Sequence, residues 1–174
     1  DNNLSLFNPQ NSVYRITNSD LVIDGNGNTV KVDGNAKTII VDGHDLIINS
    51  NIEYQTSGNE QPVVAFVVIG GDIKIAPNVT NIVGVYATVR QDGQGGTIDR
   101  TTGTSSNLIE IRGSVFGDLE PLFNAASRAG DPNIDRGAVT VQYDGRIINN
   151  IPPGLESVVN FNQFQTVTGN TVFE

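Results

Sequence analysis

The chain has no cysteine, no methionine and no tryptophan, a single histidine, His44, and three lysines, Lys31, Lys37 and Lys74. Without cysteine there are no disulfides and no thiolate metal sites, which leaves the compartment open. With one histidine, a Ser-His-Asp triad lacks alternatives and a His-based metal site lacks company, so His44 is expected on a surface turn. No apolar run approaches the ~20 residues that cross a bilayer as a helix, so no membrane span is expected. Positive charge is scarce as well. The formal charge of −9 argues against nucleic acid and against anionic membranes as partners. The absence of methionine is expected to reflect removal of the initiator along with a signal peptide ahead of Asp1.

What is present points to β-structure. Hydrophobic residues make up 37% of 174 positions, enough for one folded domain. Val and Ile lead the apolar set while Gly and Asn are abundant, a strand-and-turn profile. Three nine-residue units stand end to end: Leu21-Val-Ile-Asp-Gly-Asn-Gly-Asn-Thr29, Val30-Lys-Val-Asp-Gly-Asn-Ala-Lys-Thr38 and Ile39-Ile-Val-Asp-Gly-His-Asp-Leu-Ile47. Each is too short to stabilise a sheet alone, but stacked copies bury one another's apolar faces.

The fold expected is therefore all-β: a right-handed parallel β-helix, or solenoid, spanning 1–174 as one domain. Strand-like terminal segments lie at 1–20 and 156–174. At roughly 18–25 residues per coil, two units would complete one coil. Asp24 would then lie under Asp42, Gly25 under Gly43, and Asn26 near His44. The alternatives are a β-sandwich and a meander with Asp-Gly hairpin turns. Val63 to Ile69 reads as a buried strand, with Val64, Phe66, Val68, Ile73 and Ile75 facing the core. Residues 90–106 read as a long loop. One short helix is expected over 119–129, capped by Asp118, with Leu119, Leu122, Phe123 and Ala126 on one face and Gly130 at its end.

Chemistry is harder to find. Asp131, Asn133 and Asp135 place oxygen ligands at alternate positions, like the opening of a calcium loop, but the twelfth position is Gln142 rather than an acid. Calcium is the only cofactor the residues suggest. Asp72, Asp99, Glu110, Asp118 and Asp144 are available for carboxylate-pair chemistry, but no spacing selects two of them. Gly93-Gln-Gly-Gly96 precedes no helix and makes no phosphate cradle. Asn78-Val-Thr80 and Asn3-Leu-Ser5 fit the glycosylation acceptor pattern. No catalytic residue is expected.

Ile75-Ala-Pro-Asn-Val-Thr80, Gly84-Val-Tyr86, Leu108-Ile-Glu-Ile-Arg-Gly-Ser114, Tyr143-Asp-Gly-Arg-Ile147 and Pro152-Pro-Gly-Leu155 form a recurrent pattern. Over about residues 63–155 the chain resembles exported β-solenoid surface proteins of small-genome candidate-phyla bacteria. That resemblance implies an extracellular or cell-surface location and no catalytic residues. The leading functional expectation is a structural or adhesive surface protein, with filament assembly through copies of itself at the terminal strands. A carbohydrate-active β-helix, lyase or hydrolase, is the alternative, with surface polysaccharide as a partner.

Overall fold

The computed structural model describes residues 13–56, 61–100, 108–127 and 139–156. They form a parallel β-solenoid of about four turns with two short helices. The strands are β1 (Val13–Ile16), β2 (Leu21–Ile23), β3 (Val30–Val32), β4 (Lys37–Asp42), β5 (Leu46–Ile48), β6 (Ile52–Tyr54), β7 (Val64–Ile69), β8 (Ile73–Ile75), β9 (Asn81–Val89), β10 (Ile98–Arg100), β11 (Ile109–Phe116) and β12 (Val139–Gln142). The helices are α1 (Glu120–Ser127) and α2 (Arg146–Asn149).

Successive strands take the sides of a triangular coil in rotation. β1, β4, β7, β9, β11 and β12 stack into the first sheet, β2, β5, β8 and β10 into the second, and β3 and β6 into the third. Every strand-to-strand pairing within these sheets is parallel. The nine-residue unit is thus one side of a coil, so three units rather than two complete a turn. Leu21 pairs with Leu46, twenty-five residues on, and Lys37 with Val64, twenty-seven on. The eighteen-residue stacking of Asp24 on Asp42 is corrected accordingly: Asp24 follows Ile23, which pairs with Ile48, whereas Asp42 pairs with Ile69.

The apolar alternation explains the core. Ile39, Val41, Val64, Phe66, Val68, Ile73 and Ile75 are buried between the sheets. The Phe66 and Tyr86 rings stack one rung apart, with centroids separated by 5.5 Å. Corners need special backbone: Gly34 and Gly43 adopt φ of 73° and 74°, a region that costs a side chain free energy. The Asp-Gly pairs therefore do turn the chain, but between parallel strands. The one Asp-Gly that makes a hairpin turn is Asp92-Gly93, where Gln91 and Gln94 exchange backbone hydrogen bonds of 3.1 and 2.9 Å.

The coils are not uniform. β9 spans two sides of its coil: its first residues pass beside β6 and its last pair with β7. The bend lies at Gly84, and the next coil repeats it at Gly113, with φ of 131° and 150°.

Two local expectations change. The loop expected at 90–106 contains β10, and its residues 101–106 lie outside the described residues. Ile147 and Ile148 lie in α2, where Asp144 accepts the Arg146 N–H at 3.0 Å. In α1, Asp118 caps as expected, taking the Glu120 N–H at 3.1 Å, and Leu122 is buried, but Phe123 is exposed.

Candidate functional site

Two features gather polar or apolar side chains in a way the strands alone do not require. The first is a column of aspartates where the first sheet turns into the second. Asp20 Oδ1 accepts the backbone N–H of Asp45 at 3.0 Å, Asp45 Oδ1 accepts that of Asp72 at 2.8 Å, and Asp72 Oδ1 accepts that of Thr97 at 3.0 Å. The Thr97 hydroxyl adds a second bond to Asp72 at 2.8 Å. One rung higher, Ile98 N–H donates to Asp118 O at 2.9 Å, and the Asp118 carboxylate caps α1 instead of another strand.

Stacked carboxylates repel unless compensated. Lys74 meets Asp45 in an ion pair, and His44 Nδ1 lies 3.7 Å from Asp20 Oδ1. Burial alone would raise the Asp45 carboxyl. The hydrogen bonds from Lys74 and the Asp72 amide, with the positive charge of Lys74, outweigh it and hold the group below the usual carboxylate range. The same contact pushes the Lys74 ammonium up. The amide donors that satisfy these carboxylates are backbone groups of the next rung, so the column works as a staple along the solenoid axis.

The second feature is a strap, residues 143–155, that leaves β12 and runs back across the outer face of the first sheet. Thr38, Ala65, Val85 and Ser114 form one outward column there, paired in register from β4 to β11. Ile147 and Leu155 pack against Ala36, Val63, Ala65 and Val85. The Thr38 hydroxyl donates to Pro153 O at 2.7 Å, and Asn150 donates to Gln61 O. The Arg146 guanidinium sits 5.0 Å from the centre of the Tyr54 ring. Burial pushes the Tyr54 hydroxyl well above its ordinary range, with the Asp144 charge adding to it. Asp144 itself is buried, and its Oδ2 has no hydrogen-bond partner among the described residues.

A shallow recess of about 120 Å³ opens between the second and third sheets, lined by Gly27, Asn28, Thr29, Ser50, Asn51 and Asn78. Asn51 Oδ1 is already committed to the N–H groups of Thr80 and Asn81 at 2.8 and 3.1 Å. Its lining holds neither a carboxylate nor an aromatic ring. Asn78 is exposed, but its side-chain amide donates to Asn49 O at 3.1 Å.

The acids named from sequence are dispersed. Asp72 belongs to the column, Asp99 lies on β10 in register with Lys74, Glu110 pairs with Arg112 at 3.3 Å, Asp118 caps α1, and Asp144 is buried at the start of the strap. The proposed calcium ligands Asp131, Asn133 and Asp135 lie outside the described residues, as do Asn3, Gly130 and residues 157–174. Among the described residues no group of three or more metal-binding side chains comes together, and no helix is long and apolar enough to cross a membrane. Asp20 and Asp45 were not singled out by sequence, although a signal was present: Asp20-Leu-Val-Ile, Asp45-Leu-Ile-Ile and Asp72-Ile-Lys-Ile repeat at the coil spacing. No family model, no curated protein and no solved structure matches this chain.

Proposed function

We propose that this chain is a structural or adhesive protein of the extracellular surface, which self-associates head to tail through the two end strands of its first sheet. The observation that carries the reading is an asymmetry between the sheets. The second sheet ends against α1 beyond β10, and the third holds only two strands. Among the described residues the first sheet is the longest and ends in β1 and β12, each four residues long and running in the same direction. Parallel end strands of equal length on opposite ends of one sheet suit a heterologous contact that repeats. Location at a cell surface rests on the resemblance described above and on an acidic, lysine-poor composition.

The test is direct. Purified protein, concentrated and viewed by electron microscopy, forms fibres or chains, and a variant carrying Thr140→Lys with Gln142→Lys, which sets positive charge against Arg15 across the junction, stays monomeric with an unchanged circular dichroism spectrum. A wild-type protein that remains monomeric at millimolar concentration rejects the reading. The carbohydrate-active alternative has only the polar recess at Asn28 and Asn78 in its favour. That recess could take sugar hydroxyls, yet it holds no acid to cleave a glycosidic bond.

A further inference from the structure

The strap covers only part of the sheet it crosses. Two residues further along each strand, Ile40, Val67, Ala87 and Phe116 make a second outward column in continuous register. Ile69 and Val89 extend it by another step. Phe116 and Val89 are 48% and 49% exposed, and the other four are less so. From Ile40 to Phe116 the column has no charged member; at its β1 end Arg15 stands in register with Ile40 and pairs with Asp42, which stands in register with Ile69. Two neighbouring columns of one face thus differ, one roofed by the strap and one open.

We propose that the open column is the seat of this chain's own continuation beyond the strap, residues 157–174. Three observations support this occupant over any other. The strap ends on this face: Pro153 O is bonded to Thr38, and Leu155 is packed against the roofed column, so the chain leaves the strap one column from Ile40. Ile40 to Phe116 spans three inter-strand steps, about 14 Å at ~4.8 Å each, a distance that about five extended residues cover. The continuation also has the right chemistry, because Val158, Val159, Phe161, Phe164 and Val167 alternate with Asn, Gln and Thr, and no charge occurs before Glu174. A short tether keeps the segment at millimolar effective concentration, ahead of a second copy in dilute solution. The column lies on β4, β7, β9 and β11 and not on the end strands β1 and β12, so this inference is independent of the head-to-tail assembly.

The absence of cysteine makes the test clean. Val67→Cys is combined with Phe161→Cys in the full chain and treated with a short bifunctional maleimide, with Val22→Cys on the second sheet plus Phe161→Cys as the control. The expected result is an intrachain link in the Val67 pair only, seen as a faster-migrating monomer. An interchain dimer overturns the proposal by assigning the face to a second copy, and equal linking in the control overturns it as unspecific contact. Hydrogen exchange on the wild-type chain gives a second readout that needs no substitution. Amides across 158–164 are expected to exchange at least about tenfold more slowly than an unstructured peptide of the same sequence; unprotected rates overturn the proposal as well.

Discussion

The Asp45 carboxylate accepts the backbone N–H of Asp72 at 2.8 Å, while the Asp45 N–H donates to the carboxylate of Asp20 at 3.0 Å. One residue type at one corner therefore ties each coil to the coil on either side. The side chain saturates an amide that a bare corner would leave to solvent, and the repeat of the coil repeats the bond. At the upper end the same position, Asp118, caps a helix, which is how the second sheet stops.

This column separates hydrogen bonding from charge. Asp45→Asn keeps an acceptor for the Asp72 amide and loses the Lys74 ion pair, which is partly exposed and screened by solvent, so the cost is expected to be under about 1 kcal/mol. Asp45→Ala loses both and is expected to cost about 1–3 kcal/mol. Urea unfolding of the two variants measures the difference, and equal losses would mean that the amide bond contributes nothing.

Acid and alkali should act on different groups. The Asp45 carboxyl is held below its ordinary value of 3.8, so its contribution is present above that value and is lost as pH falls through the lower folded value. The Lys74 ammonium is raised, so its contribution is complete below about pH 10 and is lost as pH climbs through the folded value. Thermal melts across pH are expected to show wild type and Asp45→Asn diverging at neutral pH and converging in acid. Tyr54 and Tyr86, both raised by burial, are expected to ionise only as the fold opens, and tyrosinate absorbance followed alongside unfolding checks this.

The core prediction is conventional in size and specific in place. Phe66 is fully buried and stacked on Tyr86. Phe66→Ala is expected to cost about 3–5 kcal/mol in denaturant unfolding. A loss below about 1 kcal/mol would put the ring outside the core.

Glycine at the stacked bends should tolerate nothing larger. A Cβ on Gly113 would stand 1.8 Å from Gly84 O, at a φ of 150° that side chains avoid, whereas a Cβ on Gly27 would meet nothing within 4 Å. Gly113→Ala is expected to cost more than about 2 kcal/mol, and Gly27→Ala about 1 kcal/mol, from its left-handed backbone alone. Equal melting temperatures for the two variants would refute the close approach of the bends.

The solenoid and its core were legible in the sequence because both rest on the short-range alternation of Val and Ile with polar residues. Val64, Phe66, Val68, Ile73 and Ile75 are all buried, as their pattern requires. The coil length was misread for a physical reason. A nine-residue repeat fixes the length of one side, but the number of sides is set by how three sheets close around the core, which no local pattern encodes. The same limit hid the aspartate column, since Asp20, Asp45 and Asp72 become neighbours only at the true coil spacing. The strap escaped for a different reason: nothing local to Ile147 marks it, and only its contact with Ala65 and Val85, far earlier in sequence, shows it crossing the outside. The calcium reading at Asp131, Asn133 and Asp135 falls outside the described residues.

The strap also changes how the molecule bears tension. A stack of coils held only by nearest neighbours peels from its end, one rung at a time. Here a pull applied at residue 156 meets Pro153 and Leu155, which are seated beside β4 and β7 rather than beside β12. The force enters near the opposite end of the stack and is resisted by sliding the strap along several rungs together. The last coil is shielded from unzipping by a contact made with one of the first.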